Sequence, residues 1–242
     1  MRRKNPNWLW LLILIGFLVG LWLIFYPQIN TAFYEYQTEK VLETMQEQIG
    51  QAEKHLPENQ VDESLIYKEL AEAMIRYNEQ LTEEKQVHLT SPEAYEEPAL
   101  DLSDYGLENG SPIGSLSIPA IGLELPIYLG ATKENMAKGA VVLGQTSLPV
   151  GGESTNCVIA GHRGYRGIPY FRNLDDLERG DLVYLTNFWG TMTYTVTEIA
   201  VIQPDDIDAI LIQDGRDMLT LLTCHPYTVG TQRLLIYCEG SA

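Results

Sequence analysis

Cysteine is scarce in this sequence of 242 residues, which contains only Cys157, Cys224 and Cys238. Three thiols cannot all pair within one molecule, so at least one is free or linked to another chain. None of them forms a Cys-x-x-Cys pair, which argues against a zinc site and against dithiol redox activity. A disulfide between Cys157 and Cys238 that leaves Cys224 free stays open as an alternative.

Positive charge is also scarce beyond the first few residues. Residues 27–111 carry 19 acidic residues against 5 cationic ones, and residues 112–242 carry 14 against 8. An acidic surface repels phosphates, which argues against nucleic acid as a partner. The acidic residues of the C-terminal half do not have the spacing of an EF-hand. We therefore expect no metal and no other cofactor.

Charge is absent altogether from residues 8–26, WLWLLILIGFLVGLWLIFY. As a helix this stretch is about 29 Å long, close to the thickness of a bilayer's hydrocarbon core. Three cations at residues 2–4 precede it and tryptophans lie near both ends, as in a membrane anchor. A signal peptide, whose apolar core is usually shorter, is the alternative. We predict a cytoplasmic N-terminus over residues 1–7, a single transmembrane anchor over residues 8–26, and an extracellular remainder.

The region over residues 27–84 is predicted to be helical. After a break at Pro27, apolar residues recur at helical spacing in residues 31–54 and again in residues 63–84, with acidic residues between them. These two amphipathic helices form either a solvated stalk or a layer docked on the downstream domain. Residues 85–111 show no sustained period and contain prolines and glycines, which indicates a long loop that serves as a linker or a lid.

From residue 112 onward the sequence is mainly β. Eight short segments are rich in β-branched or aromatic residues and are bounded by turn residues: 113–119, 123–129, 140–144, 156–162, 181–187, 191–202, 217–224 and 232–238. Short strands at regular spacing indicate an antiparallel barrel or sandwich. Short helical insertions are predicted within residues 132–139 and 169–177. The domain over residues 112–242 is large enough for one hydrophobic core.

Cys224 ends one predicted strand and Arg233 lies inside the next. Taken singly, a cysteine at such a position is more often a small buried packing residue, and an arginine inside a strand is more often a solvated surface residue. A thiol nucleophile would instead need a proton-transfer partner and a group that stabilises an oxyanion. His162, in VIAGHRG, follows a predicted strand and lies between glycines, where an imidazole is accessible. His225 is a poor partner because the next side chain of a continuing strand points to the opposite face.

Together these segments resemble the sortase family. TLLTC is similar to the family's TLxTC signature, which places the nucleophile at Cys224. AGHRG resembles the segment with the catalytic histidine, here His162, and Arg233, nine residues after the cysteine, matches the catalytic arginine. The resemblance extends over residues 112–240. SLPVGGESTN, GHRG and the Cys-x-Pro-Tyr turn resemble class C, the pilus-assembling sortases.

The resemblance implies a closed eight-stranded β-barrel and a cysteine transpeptidase. Such an enzyme cleaves an LPxTG-like sorting signal after its threonine, with Cys224 as nucleophile and a thioester intermediate. His162 would transfer protons and Arg233 would stabilise the oxyanion or orient the substrate. In class C the acceptor is a lysine amine of another pilin subunit. Attachment of single surface proteins to cell-wall peptide amines is the alternative enzyme, and a non-catalytic membrane-tethered scaffold is the alternative outside enzymes.

Two features depart from the class C pattern. The lid of that class usually presents an Asp-Pro-aromatic motif, and residues 85–111 contain no such tripeptide. Ser91 and Pro92, with Tyr95 as the aromatic residue, are the nearest match, and residues 104–105 are a second one. Many class C members also carry a membrane segment after the barrel, so we expect this chain to be either singly anchored or truncated.

Overall fold

The computed structural model describes residues 7–52, 63–89, 92–165 and 168–240. The chain begins with α1 (Asn7–Ala52), a single helix that contains Pro27. The predicted break at Pro27 is therefore wrong. A proline inside a helix costs about 3 kcal/mol, and the strongly helical sequence on both sides outweighs this local cost. The predicted anchor segment and the first amphipathic stretch are thus one continuous helix.

The second helix is docked on the barrel rather than free in solvent. Leu70 and Met74 of α2 (Glu63–Glu83) are completely buried in the main core. Asn78 accepts a hydrogen bond from the backbone N–H of Leu148 at 2.7 Å and donates one to its carbonyl oxygen at 3.1 Å. Because this amide satisfies the backbone of a barrel loop, the docked alternative holds and the stalk alternative fails for α2.

The connection between α2 and the barrel is long and irregular, as the sequence predicts. In its described part the chain forms turns and two short 3-10 helices, Pro92–Tyr95 and Leu102–Tyr105. Leu102 is buried and Tyr105 packs against the main core. The connection is thus held to the body of the protein at its C-terminal end.

Eight strands close into a barrel, as predicted. The strands are β1 (Gly114–Ile118), β2 (Leu123–Leu129), β3 (Ala140–Val142), β4 (Thr155–Ala160), β5 (Leu182–Asn187), β6 (Gly190–Ile202), β7 (Asp217–His225) and β8 (Gln232–Gly240). Their order around the barrel is β1-β2-β3-β4-β7-β8-β6-β5. The sandwich alternative therefore fails.

The barrel is not purely antiparallel, so that part of the prediction is wrong. The pairs β2–β3 and β4–β7 are parallel. Parallel neighbours need a crossover connection, and the segment between β2 and β3 supplies one with the short helix α3 (Lys133–Met136). This helix confirms the predicted insertion within residues 132–139. The predicted insertion within residues 169–177 contains only a 3-10 turn, Leu174–Asp176.

Side chains alternate between the two faces of the barrel wall, because successive residues of a strand point to opposite sides. Leu219 and Leu221 of β7 belong to the main core inside the barrel. Leu222 packs instead with a second cluster, which includes Leu235 of β8 and Ile210 of the connection between β6 and β7. A separate apolar layer therefore covers the outer face of β4, β7 and β8.

The two buried thiols are not joined. Cys157 of β4 and Cys238 of β8 both pair with Leu219, which lies between them on β7. Two strand spacings amount to about 9–10 Å, whereas a disulfide needs Cα atoms within about 7 Å. The Cys157–Cys238 alternative is therefore wrong. All three cysteines are free, and Cys224 is the exposed one.

We predict that only Cys224 reacts with a thiol reagent in the folded protein. Burial raises the pKa of the Cys157 thiol far above its ordinary value and that of Cys238 to about 12. Mass spectrometry after brief treatment with iodoacetamide should show one adduct under native conditions and three in denaturant. More than one adduct in the folded protein would contradict this burial.

Candidate active site

The parallel pairing of β4 and β7 brings His162 and Cys224 to the same edge of the sheet. Ala160, the last residue of β4, pairs with Leu222 of β7. The N–H of Gly161 continues the ladder and donates to the carbonyl oxygen of Leu222 at 3.1 Å. His162 and Cys224 each lie two residues beyond this pair. Because parallel strands end at one edge, residues far apart in sequence become neighbours.

The antiparallel pairing of β7 and β8 brings Arg233 to the same place. Cys224 and Arg233 are directly opposite each other in the register of this hairpin. Side chains of opposite residues share one face, with Cβ atoms about 4.5–5.5 Å apart. Nη1 of Arg233 donates to the carbonyl oxygens of Gly230 at 3.1 Å and Gln232 at 2.9 Å. These bonds hold the guanidinium at the mouth of the hairpin.

Local packing fixes the backbone of His162. A side chain at Gly161 would collide with the ring of Phe171, since a Cβ there would lie 2.8 Å from it. The N–H of Phe171 donates to the carbonyl oxygen of His162 at 2.9 Å. The imidazole stacks on Tyr165 with ring centroids 4.7 Å apart and meets the edge of Tyr170 at 5.9 Å. This partial burial lowers the pKa of His162.

Tyr170 connects the imidazole to the N-terminal helix α1. Its ring contacts Tyr34 of α1 edge-on with centroids 5.1 Å apart. The hydroxyl of Tyr170 donates to the carbonyl oxygen of Ala137, and that of Tyr34 donates to the carbonyl oxygen of Lys138. The wall behind His162 is therefore built from α1, the crossover that contains α3 and the segment after β4.

The three residues predicted as catalytic line a single cavity of about 260 Å³ on the outer face of the barrel. His162, Cys224 and Arg233 are among its polar residues, together with Asp206 and Thr223, and Leu143, Ile202, Ile210 and Leu222 are among its apolar residues. The other histidines lie elsewhere. His88 is a surface residue whose side chain is 71% exposed, His225 contacts Arg163 behind the cavity, and His55 lies outside the described residues.

The predicted lid residues fall into three situations. Ser91 lies outside the described residues, and Pro92 begins a 3-10 helix that ends at Tyr95. Tyr95 lines the cavity. Burial raises the pKa of Tyr95, and the nearby positive charge of Arg233 partly offsets this. Among the lid candidates that the structure describes, Tyr95 is the one that lines the cavity.

Backbone contacts hold this segment on the barrel. The carbonyl oxygen of Tyr95 accepts hydrogen bonds from Ala131 at 2.9 Å and Gly144 at 3.0 Å. A Cβ at Gly144 would clash with the carbonyl oxygens of Ala94 and Glu97. The close approach of the two backbones therefore depends on glycine at position 144.

Sequence reasoning missed the apolar residues of the cavity and the role of Arg163. Ile210 and Met136 come from connections whose course over the barrel depends on tertiary packing. Arg163 is 6% exposed, although an arginine in a loop is normally solvated. Its position in GHRG, directly after His162, was the sequence feature that could have pointed to Arg163 as part of the site. Across the described ranges, no group of three or more histidine, cysteine or acidic side chains is placed to hold a metal.

Comparisons with known proteins agree with this fold and arrangement. The family model described as the Sortase domain matches residues 116–241, more than half of the chain. The chain therefore belongs to the sortase family, whose members are cysteine transpeptidases. Its solved structural neighbours are class C sortases.

Two solved structures illustrate the likeness. "Sortase C1 of GBS Pilus Island 1" superposes with a TM-score of 0.69 and 32% identity, covering 85% of this chain and 92% of that chain. Sortase C from Clostridium perfringens SM101 has a TM-score of 0.64 and 32% identity, covering 83% and 99%.

Curated relatives carry several sortase names. Sortase D of Bacillus subtilis (strain 168) is 33% identical over 133 residues, 54% of this chain and 64% of its own length, just under two thirds. Sortase A of Streptococcus agalactiae serotype III (strain NEM316) is 26% identical over 234 residues, 95% of this chain and 83% of that protein.

We predict that Tyr165→Ser raises the pKa of His162 towards its ordinary value, because water then reaches the imidazole. An NMR titration of the imidazole resonances measures this shift. A lowered histidine pKa also means that the wild-type fold loses stability as the pH falls below about 6.5. That loss should be smaller in the variant. Tyr36→Ser, at a tyrosine 53% exposed on α1, is the control, and an unchanged pKa in Tyr165→Ser would contradict burial as the cause.

Proposed function

We propose that this chain is a membrane-anchored cysteine transpeptidase that cleaves an LPxTG-like sorting signal after threonine and joins it to a lysine amine of a pilin subunit. The observation that carries the proposal is the cavity lined together by Cys224, His162 and Arg233. A thiol, an imidazole and a guanidinium in one groove supply a nucleophile, a proton carrier and a fixed positive charge.

In the proposed first half-reaction the thiol of Cys224 gives its proton to the neutral imidazole of His162, and the sulfur attacks the threonine carbonyl. The negative charge that develops on the carbonyl oxygen is stabilised by Arg233, a permanent cation with several N–H donors. Collapse of the intermediate breaks the Thr–Gly bond, and His162 gives a proton to the departing glycine amine. The peptide remains as a thioester on Cys224.

The second half-reaction returns the thiol. His162, now neutral, accepts a proton from the incoming lysine amine as the amine attacks the thioester carbonyl. The carbon–sulfur bond then breaks, His162 passes the proton to the leaving sulfur, and an isopeptide bond remains. Partial burial of His162 suits this role, because a lowered pKa leaves the imidazole neutral and able to accept the proton at neutral pH.

The apolar part of the cavity supports a peptide with a hydrophobic end. Leu143, Ile202 and Ile210 form a surface beside the thiol, and we infer that it receives the leucine and proline of the sorting signal. The acceptor is proposed by likeness, since "Sortase C1 of GBS Pilus Island 1" is similar over 85% of this chain.

A membrane location is also proposed. Among the described residues, α1 is the one helix long and apolar enough to cross a bilayer, and its most apolar window has no residue buried in the protein. With three cations at residues 2–4, we infer an N-terminus in the cytoplasm and a catalytic domain on the extracellular face.

We predict that Cys224→Ala abolishes the thioester that the wild-type protein forms with an LPxTG peptide. His162→Ala and Arg233→Ala should each lower turnover by about 100-fold or more, as for loss of an acid–base group or an oxyanion donor. Mass spectrometry of the trapped adduct and product assays measure these effects. His88→Ala and Arg76→Ala, both at exposed side chains, are matched controls. An adduct on Cys157 or Cys238 would overturn the assignment of the nucleophile.

Attachment of single proteins to cell-wall peptide amines is the second candidate. It is favoured by the absence of an Asp-Pro-aromatic tripeptide from residues 85–111 and by the relative named Sortase A that aligns over 95% of this chain. Incubation of the acyl-enzyme with a pilin subunit or with short glycine or diamino-acid peptides separates the two. A lysine-dependent ladder supports polymerisation, whereas transfer only to the short amines supports anchoring.

We also propose that residues 92–97 form a lid over the cavity. Gly144→Ala should displace this segment by clashing with Ala94 and Glu97. The displacement should break one or two of the hydrogen bonds that hold the segment over the cavity, and peptide cleavage should therefore rise by about tenfold. Gly114→Ala is the matched control, because a Cβ there meets the carbonyl oxygen of Thr186 in the β1–β5 pair, away from the lid. Equal cleavage rates in the two variants would remove the lid from the account.

A further inference from the structure

Arg163 has a buried guanidinium beside the catalytic groove but outside it. Its side chain is only 4% exposed, and it does not belong to the residues that line the cavity. A buried cation is costly unless it is paired and hydrogen-bonded. The function proposed above assigns no role to Arg163. The contacts of its buried guanidinium indicate what that role is.

The partners of Arg163 come from two segments that must be held together. Nη2 forms an ion pair with Oδ2 of Asp175 at 2.5 Å. Nη1 lies 2.8 Å from Nδ1 of His225 and 3.4 Å from the carbonyl oxygen of Cys224. The carboxylate belongs to the segment after β4, whereas the imidazole and the carbonyl belong to the end of β7. The guanidinium therefore joins these segments from behind the groove.

The contact with His225 fixes the tautomer of that imidazole. Arginine has only N–H donors and stays protonated in proteins, so Nδ1 of His225 must be the acceptor. The proton of the neutral ring then lies on Nε2. This bond and the ion pair are short, while the bond to the carbonyl oxygen of Cys224 is long. The charge-assisted contacts with His225 and Asp175 carry most of the restraint.

A neighbouring arginine reinforces the same connection. The carbonyl oxygen of Arg172 accepts from Nε of Arg163 at 3.4 Å. The guanidinium of Arg172 lies over the ring of Tyr227 at 5.3 Å, and Tyr227 belongs to the turn between β7 and β8. These contacts join the segment after β4 to the turn that connects the end of β7, with Cys224, to the start of β8, with Arg233.

We propose that Arg163 is a positioning residue: its guanidinium, held between Asp175 and Nδ1 of His225, sets the distance between the thiol of Cys224 and the imidazole of His162. This inference rests on the function proposed above. We call the contacts of Arg163 with Asp175 and His225 the Arg163 brace. Arg163 directly follows His162 in the chain and its partner His225 directly follows Cys224, so the brace acts one residue away from each reacting group. Since a displacement of about 1 Å can cost about 100-fold in rate, its loss should appear in kcat.

The decisive comparison is His225→Asn against His225→Phe in the full-length chain in detergent micelles. The side-chain oxygen of asparagine can accept from Arg163 where Nδ1 did, while phenylalanine fills the space and cannot accept. We expect His225→Asn to keep kcat within about threefold of wild type and His225→Phe to lose about tenfold or more, with KM for the LPxTG peptide nearly unchanged in both. His88→Asn, at an exposed histidine, is the control.

A second readout is independent of activity. Long-range proton–nitrogen NMR spectra distinguish a histidine nitrogen that carries a proton from one that does not. We expect Nδ1 of His225 to be unprotonated in the wild-type protein and in Asp175→Asn. In Arg163→Met, which has no N–H donor, we expect a proton to appear on Nδ1 in part of the molecules. If Arg163→Met does not fold, the wild-type tautomer and the His225 pair still decide.

The outcomes separate this inference from the proposed function. If wild-type protein forms no thioester, the proposed function fails, while the tautomer still tests the brace. If wild-type protein forms the thioester and His225→Phe has the same kcat as His225→Asn, the positioning role is wrong. A proton on Nδ1 of His225 in the folded wild-type protein would overturn the brace itself.

Discussion

The parallel pairing of β4 with β7 is the constraint on which the rest of the site depends. It ends two distant segments at one edge of the sheet, with Ala160 opposite Leu222. The antiparallel hairpin of β7 and β8 then adds Arg233 opposite Cys224. A slip of one residue would turn every side chain of β7 to the other face of the barrel wall. Register therefore decides whether the thiol faces the groove or the core.

Chemistry and packing use opposite faces of the same strands. The inside of the barrel is filled by residues such as Leu219, Leu221 and Ile236, and two of the three thiols are buried there. Cys224 lies on the outside, in a cavity that is also lined by Tyr95 and by residues of the connection between β6 and β7. The barrel supplies rigidity, and loops that cross its outer face supply the walls of the groove.

Elements with a strong local pattern could be predicted from the sequence. The eight strands follow from β-rich segments between turn residues. The closed barrel and the gathering of Cys224, His162 and Arg233 were implied by the resemblance of short motifs to the sortase family. The parallel pairs could not be predicted, because they depend on which non-adjacent strands meet. The continuity of α1 through Pro27 was missed since a local rule for proline is outweighed by helix on both sides.

Buried polar contacts were the least predictable features. Arg163 looks like a solvated loop residue until the segment after β4 folds over it. The close backbone contact at Gly144 likewise depends on where residues 94–97 lie in space. Such contacts join residues far apart in the chain, so no periodicity in the sequence records them.

The central claim is that strand register gathers the three reacting groups around one substrate carbonyl. Its most direct test is a crystal structure of the chain with an LPxT peptide analogue linked covalently to the thiol of Cys224. The account predicts that His162 lies beside the position of the leaving amine and that the guanidinium of Arg233 lies within hydrogen-bond distance of the carbonyl oxygen. An adduct whose carbonyl is reached by neither side chain would contradict it.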